Sequence, residues 1–238
     1  MKNPVWFMSK FNVTAPINWG IQTEIHLDIG CGNKPRNPFG AKTLIGADII
    51  EREFLGLPRQ VQYLKIGIDG LLPLENETLD SISGYDFIEH LSRGPTIESN
   101  MFIRFMNEAF RVLKPNGKLL LVTPAFPSPA AFQDPTHINF ITTKTMEYFT
   151  GSKPLAATFG YGFEGSFQEI SQEWVGPFSK IWSIPEQSID KSIESKKVNV
   201  LAKLSYSVAS SRRVISGIRK PSHLMWLLSK PDQTSIQR

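Results

Sequence analysis

The sequence predicts an α/β fold built on a mostly parallel sheet wound on both faces, and three observations carry that expectation. Five apolar stretches, each closed by a turn signal, recur from Glu24 onward: EIHLDIG, TLIGADI, VQYLKIGI, TLDSISGYDF and GKLLLVTP. The first runs into a glycine turn at Gly30 and Gly32, and the second ends in an acid, Asp48. Between the fourth and fifth lies a segment with apolar residues at helical spacing, the kind of crossover that parallel neighbours require.

The first stretch, 24–30, and the second, 43–49, each read as a strand ending in a loop. Directly after Gly32, Pro35 and Pro38 make a long regular helix improbable, because proline lacks an amide donor and disfavours helix in the residue before it. The third stretch is rich in β-branched and aromatic residues, and the fifth is almost continuously apolar. In the crossover, Ile97, Met101, Phe102, Phe105, Met106, Ala109, Phe110 and Leu113 form one apolar stripe, and Lys114, Pro115, Asn116 and Gly117 stop the helix. FITTKTMEYF then predicts a short helix, SFQEISQEWV a strand and HLMWLLSK a final strand. The connection from Val175 to His223 is too long for a hairpin loop. Within it, Leu201, Leu204, Val208, Ile215 and Ile218 alternate with Arg212, Arg213, Arg219 and Lys220, as in a basic amphipathic helix.

A length of 238 residues with 41% hydrophobic and 20% charged content suits one soluble domain with a sizeable core. We take 1–238 as that domain: an N-terminal segment 1–23, a ligand-binding core 24–150 and a covering insertion 176–222. The first residues lack an apolar core followed by a cleavage site, so the expected location is cytoplasmic. The single cysteine, Cys31, excludes an internal disulfide and a multi-cysteine zinc site. Residues 171–238 hold 11 Lys and Arg against 5 Asp and Glu, while residues 1–170 hold 15 against 17, so the basic excess belongs to the tail.

The glycine turn and its flanking acids point to a ligand. A dinucleotide site places a third glycine and a helix N-terminus under a pyrophosphate, and here Pro35 occupies that glycine's place. The ligand should therefore lack a pyrophosphate yet carry a ribose, whose hydroxyls Asp48 can accept. Asp28, at the end of the first strand, is placed to meet an ammonium group directly or through water. A molecule with a nucleoside at one end and an amino acid at the other satisfies both acids, and S-adenosylmethionine is such a molecule.

On these residues the chain resembles the class I S-adenosylmethionine-dependent methyltransferases, in the methyltransferase-domain group related to quinone-biosynthesis and surface-polysaccharide enzymes. LDIGCG is similar to their first motif, Asp48 of GADI to their ribose acid, and YDFIEHL and RVLKPNGKLLLVTP to their later motifs, over residues 24–150. The resemblance implies a Rossmann-like, doubly wound sheet of seven strands, mostly parallel, with an antiparallel last strand. It implies a cofactor site of Asp28, Gly30, Cys31, Gly32, Asp48, Ile49, Ile68, Asp69, Asp86 and Phe87, with Asp69 near the adenine amino group and Ile68 beside the ring. Lys34 or Arg36 would help to hold the methionine carboxylate.

His137, in DPTHIN after the fifth strand, is a candidate base or acceptor contact because an imidazole titrates near neutrality, and His90 is a second candidate. The sequence has no histidine pair at helical spacing and no close cluster of ligand residues, so no metal is expected. His26 and His223 are expected to be structural. Trp6, Phe7 and Phe11 would bound the acceptor site, which should take a small molecule, a sugar or a lipid-linked acceptor. The tail's charge suits peripheral contact with an anionic membrane surface, whereas nucleic acid would call for a denser basic patch. Two rivals stay open at this stage: aminopropyl transfer from the decarboxylated cofactor, and a binding module without turnover.

Overall fold

The computed structural model describes residues 23–57, 59, 61–67, 71–96, 99–176, 179–182 and 221–232. Seven strands form one sheet: β1 (Ile25–Ile29), β2 (Thr43–Asp48), β3 (Gln62–Lys65), β4 (Leu79–Tyr85), β5 (Leu113–Pro124), β6 (Gln168–Val175) and β7 (His223–Ser229). Their order across the sheet is β3-β2-β1-β4-β5-β7-β6. The first five are mutually parallel, and β7 runs antiparallel to both of its neighbours, β5 and β6. This is the Rossmann-like arrangement that the sequence predicts, antiparallel last strand included.

From β1 the chain steps outward through β2 to β3, then returns to place β4 on the other side of β1. Connections therefore leave β1 and β4 in opposite directions, and a crevice opens beyond their carboxyl ends. Gly30 to Gly32 follows one strand and Asp86 to His90 follows the other.

Alternation along the central strands divides the core between the two faces. Leu119, Leu121, Leu224, Trp226 and Leu228 pack with helix α2 on one side, whereas Leu120, Val122, Met225 and Leu227 pack with Phe39, Tyr85 and Ile181 on the other. Helix α1 is a single turn, Arg52–Leu55, and α2 spans Met101–Val112. The Asn100 side chain caps α2 by accepting from the amides of Phe102 and Ile103 at 3.0 and 3.2 Å. Phe105, Met106, Ala109 and Val112 are its most buried positions, which agrees with the apolar stripe of the sequence.

Two boundaries differ from the sequence reading. Ile97 lies outside the described residues, and Asn100 is the cap because its short side chain satisfies amides that an apolar residue there could not. At the other end Leu113 already pairs with Leu79, so Lys114 to Gly117 bulge from the start of β5 rather than following the helix as a free turn. The φ of +65° falls on Asn116, whose amide donates to the Lys230 carbonyl. The helix foreseen in FITTKTMEYF is one 3-10 turn, Thr145–Tyr148, which packs Met146 inward. Single turns at α3 (Ala130–Gln133) and α4 (Leu155–Thr158), with 3-10 turns at Ile88–His90 and Lys180–Trp182, complete the described helices. Trp6, Phe7, Phe11 and the basic segment 201–220 lie outside the described residues, as does most of 176–222.

Candidate functional site

The crevice begins at the glycine turn. Gly30 has φ +64°, and a Cβ there would lie 2.8 Å from the Phe87 ring, which itself meets Phe105 edge-on with centroids 5.1 Å apart. Glycine is needed here for both reasons, backbone sign and close approach. Gly32 also has positive φ, +53°, but a Cβ on it would meet nothing within 4 Å, so its open side faces free space. Its amide donates to Asp48 Oδ2 at 2.9 Å, and the Ile50 amide donates to Oδ1 at 3.2 Å. The half-buried Asp48 carboxylate thus sits against the turn with a lone pair left on each oxygen. Beyond it Ile49 is 57% exposed, an apolar surface next to an acid.

No helix follows Gly32. Instead the proline loop folds back onto the sheet: Pro35 packs over Gly46, where a Cβ would come within 3.1 Å of its ring, and Asn37 closes the loop by exchanging two hydrogen bonds with Ala41. Arg36 lays its guanidinium 4.4 Å from the centre of the Tyr85 ring. Lys34 is exposed. The Cys31 thiol is buried behind the turn and its pKa is pushed up to about 12, mainly by burial, so Cys31 contributes through its backbone alone.

Asp28 is the penultimate residue of β1. Its side chain is fully buried, with Oδ1 accepting from Ser83 at 2.5 Å and Oδ2 accepting from the Arg36 amide at 2.7 Å. Strand alternation turns Asp28 beneath the proline loop, behind the glycine turn. Burial raises its pKa to about 6 against the opposing pull of Arg36 and Ser83. On the same face His26 bonds Ser81 and Ser83 at 2.8 and 2.9 Å, and burial lowers its pKa to about 3. His26 is structural, as the sequence predicts.

Beyond β4 the chain bends sharply. Asp86 has φ +48°, an uncommon conformation for a residue other than glycine, held by the hydrogen bond that its amide donates to the Val122 carbonyl. Its Oδ1 lies 3.1 Å from Nε2 of His223, the first residue of β7, which also meets the Trp182 ring. His223 therefore reaches the crevice, a contact that its place near the end of the sequence does not reveal. The Phe87 ring lies against Gly30 of the turn. Ile68 and Asp69 lie outside the described residues.

The loop after β5 is clamped to this bend. The amides of Ile138 and Asn139 both donate to the Glu89 carbonyl, and the Asn139 side chain donates to the carbonyls of Ile88 and Leu91. His137 is thereby brought against His90, ring centroids 4.8 Å apart. Glu89 lies beneath them, and burial, with Asp86 adding to it, pushes its pKa up to about 8. Glu89, His90 and His137 each offer one ligand atom, and all three atoms lie within 4.8 Å of one another. The sequence reading foresees no such cluster; the backbone clamp, which periodicity does not report, creates it. Around the cluster Phe126, Phe132, Ile138 and Phe140 form an exposed apolar rim.

Residues 27–121 match the family described as a methyltransferase domain. Among solved structures, the chain is similar to an S-adenosylmethionine-dependent methyltransferase from Archaeoglobus fulgidus, with a TM-score of 0.50 and 18% identity over 87% of this chain and 86% of that one. It is also similar to a chain of the complex between the Haloferax volcanii Trm112 methyltransferase activator and a methyltransferase, with a TM-score of 0.51 and 12% identity over 89% and 84% of the two chains. At such identities the likeness establishes the fold alone. No curated protein matches the chain significantly.

Proposed function

We propose that this chain transfers a methyl group from S-adenosylmethionine, bound across the glycine turn, to an acceptor lying over the bend after β4; the match of residues 27–121 to the methyltransferase-domain family and the strand order of the sheet support that reading. The observation that carries this reading is the pairing of Gly32, open on its outer face, with a half-buried Asp48 carboxylate that its amide already orients. Asp48 accepts the ribose hydroxyls, Ile49 and Phe87 lie against the adenosine, and Gly30, Cys31 and Gly32 supply close backbone approach. Ile68 and Asp69 are assigned to the adenine by the motif alone. Asp86 stands between this cofactor and the acceptor.

The sulfonium carries its own leaving group, so the reaction needs in-line approach of a nucleophile and no covalent enzyme intermediate. Holding two reactants in line can supply about 7–11 kcal/mol of the barrier in favourable cases. His90 and His137 mark the acceptor position, and the rim of Phe126, Phe132 and Phe140 favours an acceptor with apolar surface. A small molecule, a sugar or a lipid-linked acceptor fits that rim. The basic excess of 11 against 5 charges in residues 171–238 suits an anionic acceptor or membrane surface. We read the whole chain as one domain, and assign the segment 176–222 to cover the acceptor from the sequence alone.

Calorimetry tests the cofactor site. The protein should bind S-adenosylmethionine, and Asp48→Ala should weaken binding by about 1.5–3 kcal/mol, the usual worth of hydrogen bonds to a charged group. Absent binding, or unchanged affinity in the variant, would refute the assignment. Mass analysis of acceptors incubated with deuterated-methyl cofactor separates methyl transfer from aminopropyl transfer and from binding without turnover.

A further inference from the structure

We propose that Glu89, His90 and His137 form a site for one divalent transition-metal ion, held by two imidazole nitrogens and one carboxylate oxygen, with open positions facing the acceptor.

The hydrogen-bond partners fix what each group presents. His137 Nδ1 lies 3.2 Å from the Ala131 carbonyl, which can only accept, so Nδ1 carries the hydrogen. His90 Nδ1 lies 3.0 Å from Thr136 Oγ1, and that hydroxyl gives its own hydrogen to Asp134 Oδ1 at 2.6 Å. The hydroxyl must therefore accept from His90, whose Nδ1 is the protonated nitrogen. In the neutral rings both Nε2 atoms are bare lone pairs. Glu89 is anchored in the same way: Oε2 accepts from Thr123 Oγ1 at 2.9 Å, while Oε1 has no hydrogen-bond partner in a side chain only 1% exposed.

Oε1 lies 3.9 Å from His90 Nε2, too far for a hydrogen bond. The two imidazoles and the Glu89 carboxyl thus converge without bonding one another, and since burial holds the Glu89 pKa at about 8, an ion binding here displaces the carboxyl proton to solvent. A cation satisfies all three together. Metal–nitrogen and metal–oxygen bonds of about 2.0–2.2 Å set ligand atoms roughly 3.3 Å apart. Binding would draw the three side chains together from their present separations of up to 4.8 Å. Two imidazoles with one carboxylate favour zinc, manganese, iron or cobalt over calcium and magnesium, which take oxygen ligands. Fixing each imidazole through its other nitrogen is the arrangement that metal-binding histidines use.

The ion would sit at the carboxyl ends of β4 and β5, next to Asp86. Its part in the reaction rests on the methyltransferase reading; its binding does not. An acceptor hydroxyl ligating it would release a proton to solvent, and the oxygen would attack the sulfonium methyl. The C–S bond then breaks, the O–C bond forms and the neutral thioether departs.

The test titrates the metal-stripped full chain with Zn2+ by calorimetry and with Co2+ by visible absorption, without cofactor or acceptor. One equivalent should bind, and the Co2+ bands should report nitrogen and oxygen ligation. His137→Ala and Glu89→Gln should each weaken binding at least tenfold, with circular dichroism confirming that they fold. Thr136→Val, which touches no metal, should weaken it by about tenfold through loss of the His90 anchor. Failure of the wild type to bind either ion, or equal binding by all variants, overturns the site. Metal binding without S-adenosylmethionine binding would leave the site standing and refute the cofactor assignment instead.

Discussion

Single residues on the face beneath the proline loop set a measurable pH response. His26 is neutral in the fold, with a pKa lowered to about 3 from an ordinary value of 6.5, chiefly by burial. Below 6.5 the unfolded chain takes up a proton that the folded chain refuses, so stability present above that pH is lost as pH falls toward 3, at up to about 1.4 kcal/mol per pH unit. Asp28 acts oppositely: with a pKa raised from 3.8 to about 6, it favours the fold as pH falls through that window. His26→Gln keeps a donor for Ser83 and an acceptor for Ser81 while removing the titration. Urea unfolding from pH 7 to 4 should therefore show the wild type losing stability relative to the variant. A difference that does not change with pH would contradict the neutral assignment.

Among elements, α2 shows how local chemistry is tied to position. Asn100→Ala removes the acceptor of two amides and should lower stability by about 1 kcal/mol in thermal or denaturant unfolding. Farther along the helix, Arg111 donates to Glu108 and to the carbonyls of Leu72 and Leu74, fastening the connection that leads from β3 to β4. The strands and the core of α2 were legible in the sequence because burial on two faces or one imprints a period that composition preserves. The glycine turn and Asp48 were legible for a different reason: backbone sign and close approach allow few residue types. The inward turn of Asp28 was not, since a strand residue's side depends on register. Nor was the gathering of Glu89, His90 and His137, which depends on Asn139 bonding to carbonyls across the crevice. The pairing of His223 with Asp86 needed β7 to insert beside β5, a sheet order that no local pattern encodes.

At the scale of the whole molecule, the sheet arranges charge as well as shape. Among the described residues no helix is long and apolar enough to cross a membrane. Carboxylates stand at the carboxyl ends of the strands at Asp48 and Asp86. In most nucleotide crevices the positive end of a helix dipole faces the ligand; the loop carrying Pro35 and Pro38 removes it from this one. Before turnover the cofactor is a cation at sulfur, and afterwards it is S-adenosylhomocysteine, without that charge. A rim of acids unopposed by a dipole holds the first more firmly than the second. We expect competition titrations to give a lower dissociation constant for S-adenosylmethionine than for S-adenosylhomocysteine, and the preference to shrink in Asp86→Asn. The absence of a helix after the glycine turn would then make the enzyme resistant to inhibition by its own spent donor.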